Sequence, residues 1–153
     1  EDSDAVFFDK DGDGDMDLYV ASGSNEFELN SKLFLDKLYE NDGKGNFKDL
    51  SSELPKITVS KGLVKAFDMD GDGDEDIVLV YDDGFIDLLT NTSGKFRRKQ
   101  MIAYLPDLSL RPLVLGDFQG DRYSDILGTD QSGSLILIDN TQRKFTRTDI
   151  TTP

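Results

Sequence analysis

The chain has 153 residues, enough for one hydrophobic core on the usual domain-size scale. Its net charge is −14, from 31 acidic and 17 basic residues, which argues against nucleic acid or an anionic membrane surface as a partner. It contains no cysteine, histidine or tryptophan, which excludes disulfides, thiol chemistry and imidazole acid–base chemistry. No apolar run reaches the ~18 residues that a membrane-spanning helix needs. The opening Glu1-Asp2-Ser3-Asp4 reads as a mature or excised start.

In chain order, a short apolar run, Ala5-Val6-Phe7-Phe8, leads into Asp9-Lys10-Asp11-Gly12-Asp13-Gly14-Asp15-Met16-Asp17. Another short run, Leu18-Tyr19-Val20, follows it. A turn at Asn41-Asp42-Gly43-Lys44-Gly45-Asn46 then opens on Phe47. The series returns with Leu63-Val64-Lys65-Ala66-Phe67, the loop Asp68-Met69-Asp70-Gly71-Asp72-Gly73-Asp74-Glu75-Asp76, and Ile77-Val78-Leu79-Val80. Its turn is Asn91-Thr92-Ser93-Gly94-Lys95, ending on Phe96. A third round is eroded: Leu113-Val114-Leu115-Gly116, then Asp117-Phe118-Gln119-Gly120-Asp121-Arg122-Tyr123-Ser124-Asp125, then Ile126-Leu127-Gly128, and a last turn from Asp139 to Phe145.

The apolar runs are three to five residues long and rich in β-branched and aromatic types, so they predict strands. Asn, Asp and Gly at the turns predict tight hairpins with positive φ. Phe47, Phe96 and Phe145 recur at a constant interval of 49 residues, while the first round carries ten extra residues within Ser22–Leu38. Prolines at 55, 106 and 153 are expected in linkers, because proline cannot donate to a ladder. Each unit therefore reads strand, acidic loop, strand, turn, strand, hairpin, strand. This predicts an all-β chain of three four-stranded antiparallel repeats, approximately 1–54, 55–105 and 106–153, of β-propeller-blade type. Closed propellers take about four to eight blades. Three predict part of a larger propeller or an assembly with exposed sheet edges open to self-association.

The acidic loops are the candidate site. Five aspartates in nine residues repel one another unless a cation lies among them. Hard cations take oxygen ligands, and Ca²⁺ accepts about six to eight in a flexible shell. Side-chain ligands are expected from Asp9, Asp11, Asp13 and Asp17, with Asp15 offering its carbonyl. Asp68, Asp70, Asp72, Asp76 and Asp74 take the same places in the second loop. A weaker third site would use Asp117, Gln119, Asp121, Tyr123 and Asp125. Arg122 stands there where a positive-φ glycine belongs, at an expected cost of about 1 kcal/mol. It is expected to pair with the neighbouring carboxylates. Mg²⁺ suits the loops less well, since it demands strict octahedral geometry. An EF-hand would need a bidentate glutamate at position 12, where Val20 and Leu79 stand. A dehalogenase-type phosphatase would need a following Thr or Val and a βαβ unit, and GKG at 43–45 lacks the phosphate-loop frame.

The calcium loops running into their second strands (Asp9–Tyr19, Asp68–Leu79) and the closing hairpins (Asn41–Phe47, Asn91–Phe96) resemble FG-GAP and VCBS repeats, as in integrin alpha-subunit propellers and many bacterial secreted proteins. The run from Leu18 to Phe27 is similar to VCBS-rich proteins allied to the cartilage acidic protein group. The resemblance implies an extracellular β-propeller holding calcium at one face. The function it implies is a non-catalytic binding or adhesion module with an unknown protein or glycan ligand. Alternatives are a structural subunit of an extracellular assembly and an accessory region of a polysaccharide-acting enzyme. Calcium is expected to be mainly structural. Ser22–Leu38 is the first candidate for a partner contact. The repeated phenylalanines Phe7, Phe8, Phe67, Phe96 and Phe145 are expected in the core, Arg97-Arg98-Lys99 on a solvated strand face, and Asn91-Thr92-Ser93 is a glycosylation sequon.

Overall fold

The alternating apolar runs form strands in a computed structural model that describes residues 2–24, 26, 31–105 and 108–150, without the side chains of residues 100, 101 and 108–112. Among the described residues twelve strands form three antiparallel sheets of four. The first sheet holds β1 (Asp2–Phe8), β2 (Asp17–Ser22), β3 (Lys37–Asn41) and β4 (Phe47–Asp49). The second holds β5 (Lys61–Phe67), β6 (Asp76–Tyr81), β7 (Phe85–Thr92) and β8 (Lys95–Tyr104). The third holds β9 (Leu108–Gly116), β10 (Asp125–Asp130), β11 (Leu135–Thr141) and β12 (Lys144–Ile150). In each sheet the strands neighbour one another in chain order, as in propeller blades, and no closed propeller is seen among the described residues.

Two cores lie between the sheets. Between the first and second pack Phe8, Tyr19, Leu38, Ile77, Leu79 and Leu89. Between the second and third pack Met69, Val78, Val80, Leu88, Ile126 and Ile138. Strand β6 serves both: all six of its residues are buried, with Ile77 and Leu79 facing one way and Val78 and Val80 the other. That is the period-2 alternation of a strand covered on both faces.

Several expectations need correction here. Phe8 is buried, but its neighbour Phe7 is 60% exposed, because successive strand residues point to opposite faces. Phe67, the last residue of β5, is 39% exposed. Phe96 and Phe145 pack against the first and second core respectively. Pro55 lies between strands, and residues 106 and 153 fall outside the described residues. Pro112, by contrast, sits inside β9. The register there jumps from Leu113 opposite Gly128 to Ser109 opposite Thr129, and this irregularity takes the proline out of the ladder.

The extra segment of the first round contains a 3₁₀ turn at Lys32–Phe34, whose Ser31 side chain caps Leu33 N–H. Within that segment, residues 25 and 27–30 fall outside the described residues. Phe34 is buried, and its carbonyl accepts from Lys61, as does that of Ile57 at 2.9 Å. Lys61 also pairs with Asp36 at 2.9 Å, and Tyr19 donates to Asp36 at 2.7 Å.

Candidate metal centre

Each acidic loop is curled by its first aspartate. Asp9 accepts from the N–H groups of Gly12 (2.8 Å), Asp13 (3.2 Å) and Gly14 (3.0 Å). Asp68 accepts from Gly71 and Gly73, and Asp117 from Gly120, Asp121 and Arg122. The curl needs the left-handed backbone at position 6, where Gly14 has φ 90° and Gly73 φ 96°. Arg122 takes that place at φ 77°. Among the described residues Arg122 forms no ion pair, so the expected guanidinium–carboxylate pairing is not seen.

The ninth residue closes the loop onto the hairpin. Asp17 accepts from Lys10 N–H at 3.0 Å and Asn41 N–H at 2.8 Å. Asp76 accepts from Met69 and Asn91, and Asp125 from Phe118 and Asn140, in the same pattern. All three ninth aspartates are buried. Burial pushes the Asp76 carboxyl up to about 7, with Asp70 and Asp72 adding to the rise and the two N–H donors opposing it. Burial also raises Asp17.

Positions 1, 3 and 9 converge. One carboxylate oxygen from each of Asp9, Asp11 and Asp17 lies within 4.8 Å of the others, and Asp68, Asp70 and Asp76 form the same triad. The Asp70 side chain is only 6% exposed, and its Oδ1 is buried without a hydrogen-bond partner. A buried carboxylate oxygen left bare beside two more carboxylates is costly unless a cation completes it. The donor set, carboxylate oxygens only, fits a hard cation such as Ca²⁺.

A family model for the FG-GAP-like repeat matches residues 9–78 and 68–128. The chain belongs to the FG-GAP-like repeat family. No curated protein sequence matches it significantly. The family match begins at the first aspartate of the first acidic loop and spans all three loops.

Within these FG-GAP-like repeats the remaining candidate ligands are placed as follows. Asp13 and Asp72 are exposed and accept from Asp15 and Asp74 N–H. Asp74 accepts from Ser93 N–H. In the third loop Asp121 accepts from Tyr123 N–H, and Gln119 leaves positions 1, 3 and 9 with two carboxylates instead of three. The basic run is only partly solvated. Arg97 is exposed, but Arg98 pairs with Asp87 at 2.5 Å, and Lys99 lies over the Phe145 ring and donates to the Arg143 carbonyl. Asn91 of the sequon is 1% exposed, with its amide committed to three hydrogen bonds.

Those amide bonds belong to a pattern the sequence reading missed. Asn91 donates to the Lys10 carbonyl at 2.7 Å and to that of Glu75 at 3.0 Å. Asn140 donates to the carbonyls of Met69 (2.7 Å) and Ser124 (3.1 Å). Each asparagine thus joins its own loop to the second residue of the previous repeat's loop. The eighth residue adds a second tie. Glu75 accepts from Asp9 N–H, and Ser124 donates to the Asp68 carbonyl. The signal in sequence was the asparagine opening each hairpin, which turn chemistry alone also explains.

Proposed function

We propose that the protein is an extracellular, non-catalytic binding module whose first two FG-GAP-like repeats are clamped by structural calcium. The bare, buried Oδ1 of Asp70 carries this reading. Calcium in each triad would neutralise carboxylates that otherwise repel, and would stabilise only the folded arrangement. The partner is an extracellular protein or glycan, and Ser22–Leu38, the segment without a counterpart in the other repeats, is its first candidate contact. Calorimetric titration with calcium tests the metal. Two sites are expected in the unaltered chain and one in Asp70→Ala. Absence of heat and of any rise in melting temperature at millimolar calcium would reject the reading.

A second reading has neighbouring blades completing the array. It is favoured by the end repeats, where positions buried elsewhere are open. Phe47 is 46% exposed, whereas its counterparts Phe96 and Phe145 pack on the preceding sheet's core. Phe118 is 48% exposed, whereas Lys10 and Met69, also second in their loops, are buried. The end sheets therefore offer faces as well as edges for association. Light-scattering mass in calcium and in chelator distinguishes the two: a monomer in both supports the free-standing module, and a defined oligomer supports completion by neighbours.

A further inference from the structure

We infer that each boundary between successive repeats contains one cation slot, which holds the position-3 aspartate of the metal loop and is filled from either side of the boundary. At the first boundary Lys10 fills it. Its Nζ lies 2.9 Å from Asp11 and 3.1 Å from Glu40, and the side chain is 5% exposed. At the second boundary the residue corresponding to Lys10 is Met69, which is uncharged and fully buried. There the cation comes from the other repeat: Arg143 reaches Asp70 at 2.8 Å.

Arg143 and Gly94 are counterparts, each three residues after the boundary asparagine. A Cβ on Gly94 would stand 3.0 Å from Lys10 Nζ, so the glycine leaves room for the lysine. Arg143 adopts the same left-handed backbone, φ 64° against 81° for Gly94, despite carrying a side chain. The frame is constant, because Asn91 and Asn140 fix the backbone carbonyls of Lys10 and Met69 in the same way. Lysine with glycine, or methionine with arginine, therefore places one positive charge on one aspartate. The third loop has glutamine at position 3, so the carboxylate that the slot holds is absent there.

Chemically, the cation takes one oxygen of the position-3 carboxylate. At Asp70 the Arg143 guanidinium takes Oδ2, and Oδ1 stays buried without a hydrogen-bond partner in a side chain that forms a triad with Asp68 and Asp76. The cation is thus a positioning group for the proposed metal site, and at the second boundary, where Asp70 and Arg143 belong to different repeats, it is also a latch between them. The metal role rests on the calcium reading, whereas the slot itself does not.

The test is a sign reversal in melting temperature, measured in chelator so that it does not depend on calcium binding. Met69→Lys is introduced into the unaltered chain and into Arg143→Gly. Comparison within each background cancels the strain that glycine relieves at position 143. With Arg143 present the added lysine puts two cations in one slot, and a fall of about 2–4 °C is expected. In the Arg143→Gly background the same change should raise the melting temperature by a similar amount. The first boundary gives an independent trial. Lys10→Met should lower stability with Gly94 and raise it with Gly94→Arg. A reversal at either boundary supports the slot. The same sign in both backgrounds at both boundaries, including failure of the variants to fold, overturns it. Calcium titration of the same proteins tests the metal reading separately.

Discussion

Asn140 donates its side-chain amide to the Met69 carbonyl across 71 residues of sequence, at 2.7 Å, and Asn91 makes the same bond to Lys10 across 81. These buried bonds join the metal loop of one repeat to the hairpin of the next. They explain how each loop, built locally, is held in register with its neighbour.

Truncating the asparagines should produce a graded loss. Asn91→Ala removes two donors and the acceptor for Gly94 N–H, while Asn140→Ala removes two donors from an amide whose oxygen has no partner. Asn41 is half-buried, and its amide donates to Met16 within its own repeat. Each buried polar group left unpaired costs about 1–3 kcal/mol. Urea unfolding in calcium should therefore rank the losses Asn91 > Asn140 > Asn41. Equal losses at all three would deny the boundary role.

Glycine and arginine at loop position 6 should behave as mirror images. Arg122→Gly relieves a left-handed residue and should stabilise by about 1 kcal/mol, whereas Gly73→Ala should cost a similar amount. Gly71→Ala should cost more than Gly73→Ala. A Cβ there would lie 2.6 Å from the Arg122 carbonyl, whereas one at Gly73 meets open space. Thermal melts of the three variants check the order.

The pH dependence of stability should invert on adding calcium. Asp76 has its folded pKa raised to about 7 from 3.8, so in chelator its contribution is complete below about pH 4 and is lost as pH rises through about 7. Calcium takes the ionised carboxylate, so the calcium-induced rise in melting temperature should grow over the same interval. Melts at pH 5, 6, 7 and 8, with and without calcium, measure both trends. Asp76→Asn should flatten the chelator curve.

The buried pair Lys61–Asp36 should be intolerant of half-removal. Asp36→Leu leaves a lysine with a fully buried side chain without its carboxylate and Tyr19 without its acceptor. Breaking a buried pair from one side costs about 3–5 kcal/mol. Lys61→Met combined with Asp36→Leu should recover much of that loss, as judged by urea unfolding.

The sequence by itself determined the strands, the acidic loops and their threefold repetition; which aspartates of each loop converge, positions 1, 3 and 9, was read from the structure. Strands, loops and repetition depend on bonds between residues within a loop, such as Asp68 to Gly71 and Gly73, and on the alternation of short apolar runs. The positive φ demanded of Arg122 was legible for the same reason. Tertiary structure decided what depends on neighbours distant in sequence. It turned Phe7 and Phe67 outward, hid Asn91 of the sequon, gave Arg98 to Asp87, and set Arg143 on Asp70. A residue's type restricts what it is able to bond, but only the stacking of one sheet on the next determines which partner lies within 3 Å. The first repeat supplies the cation on Asp11 from its own Lys10, whereas the cation on Asp70 is Arg143 of the following hairpin, a partner that only the stacking of two repeats brings within reach.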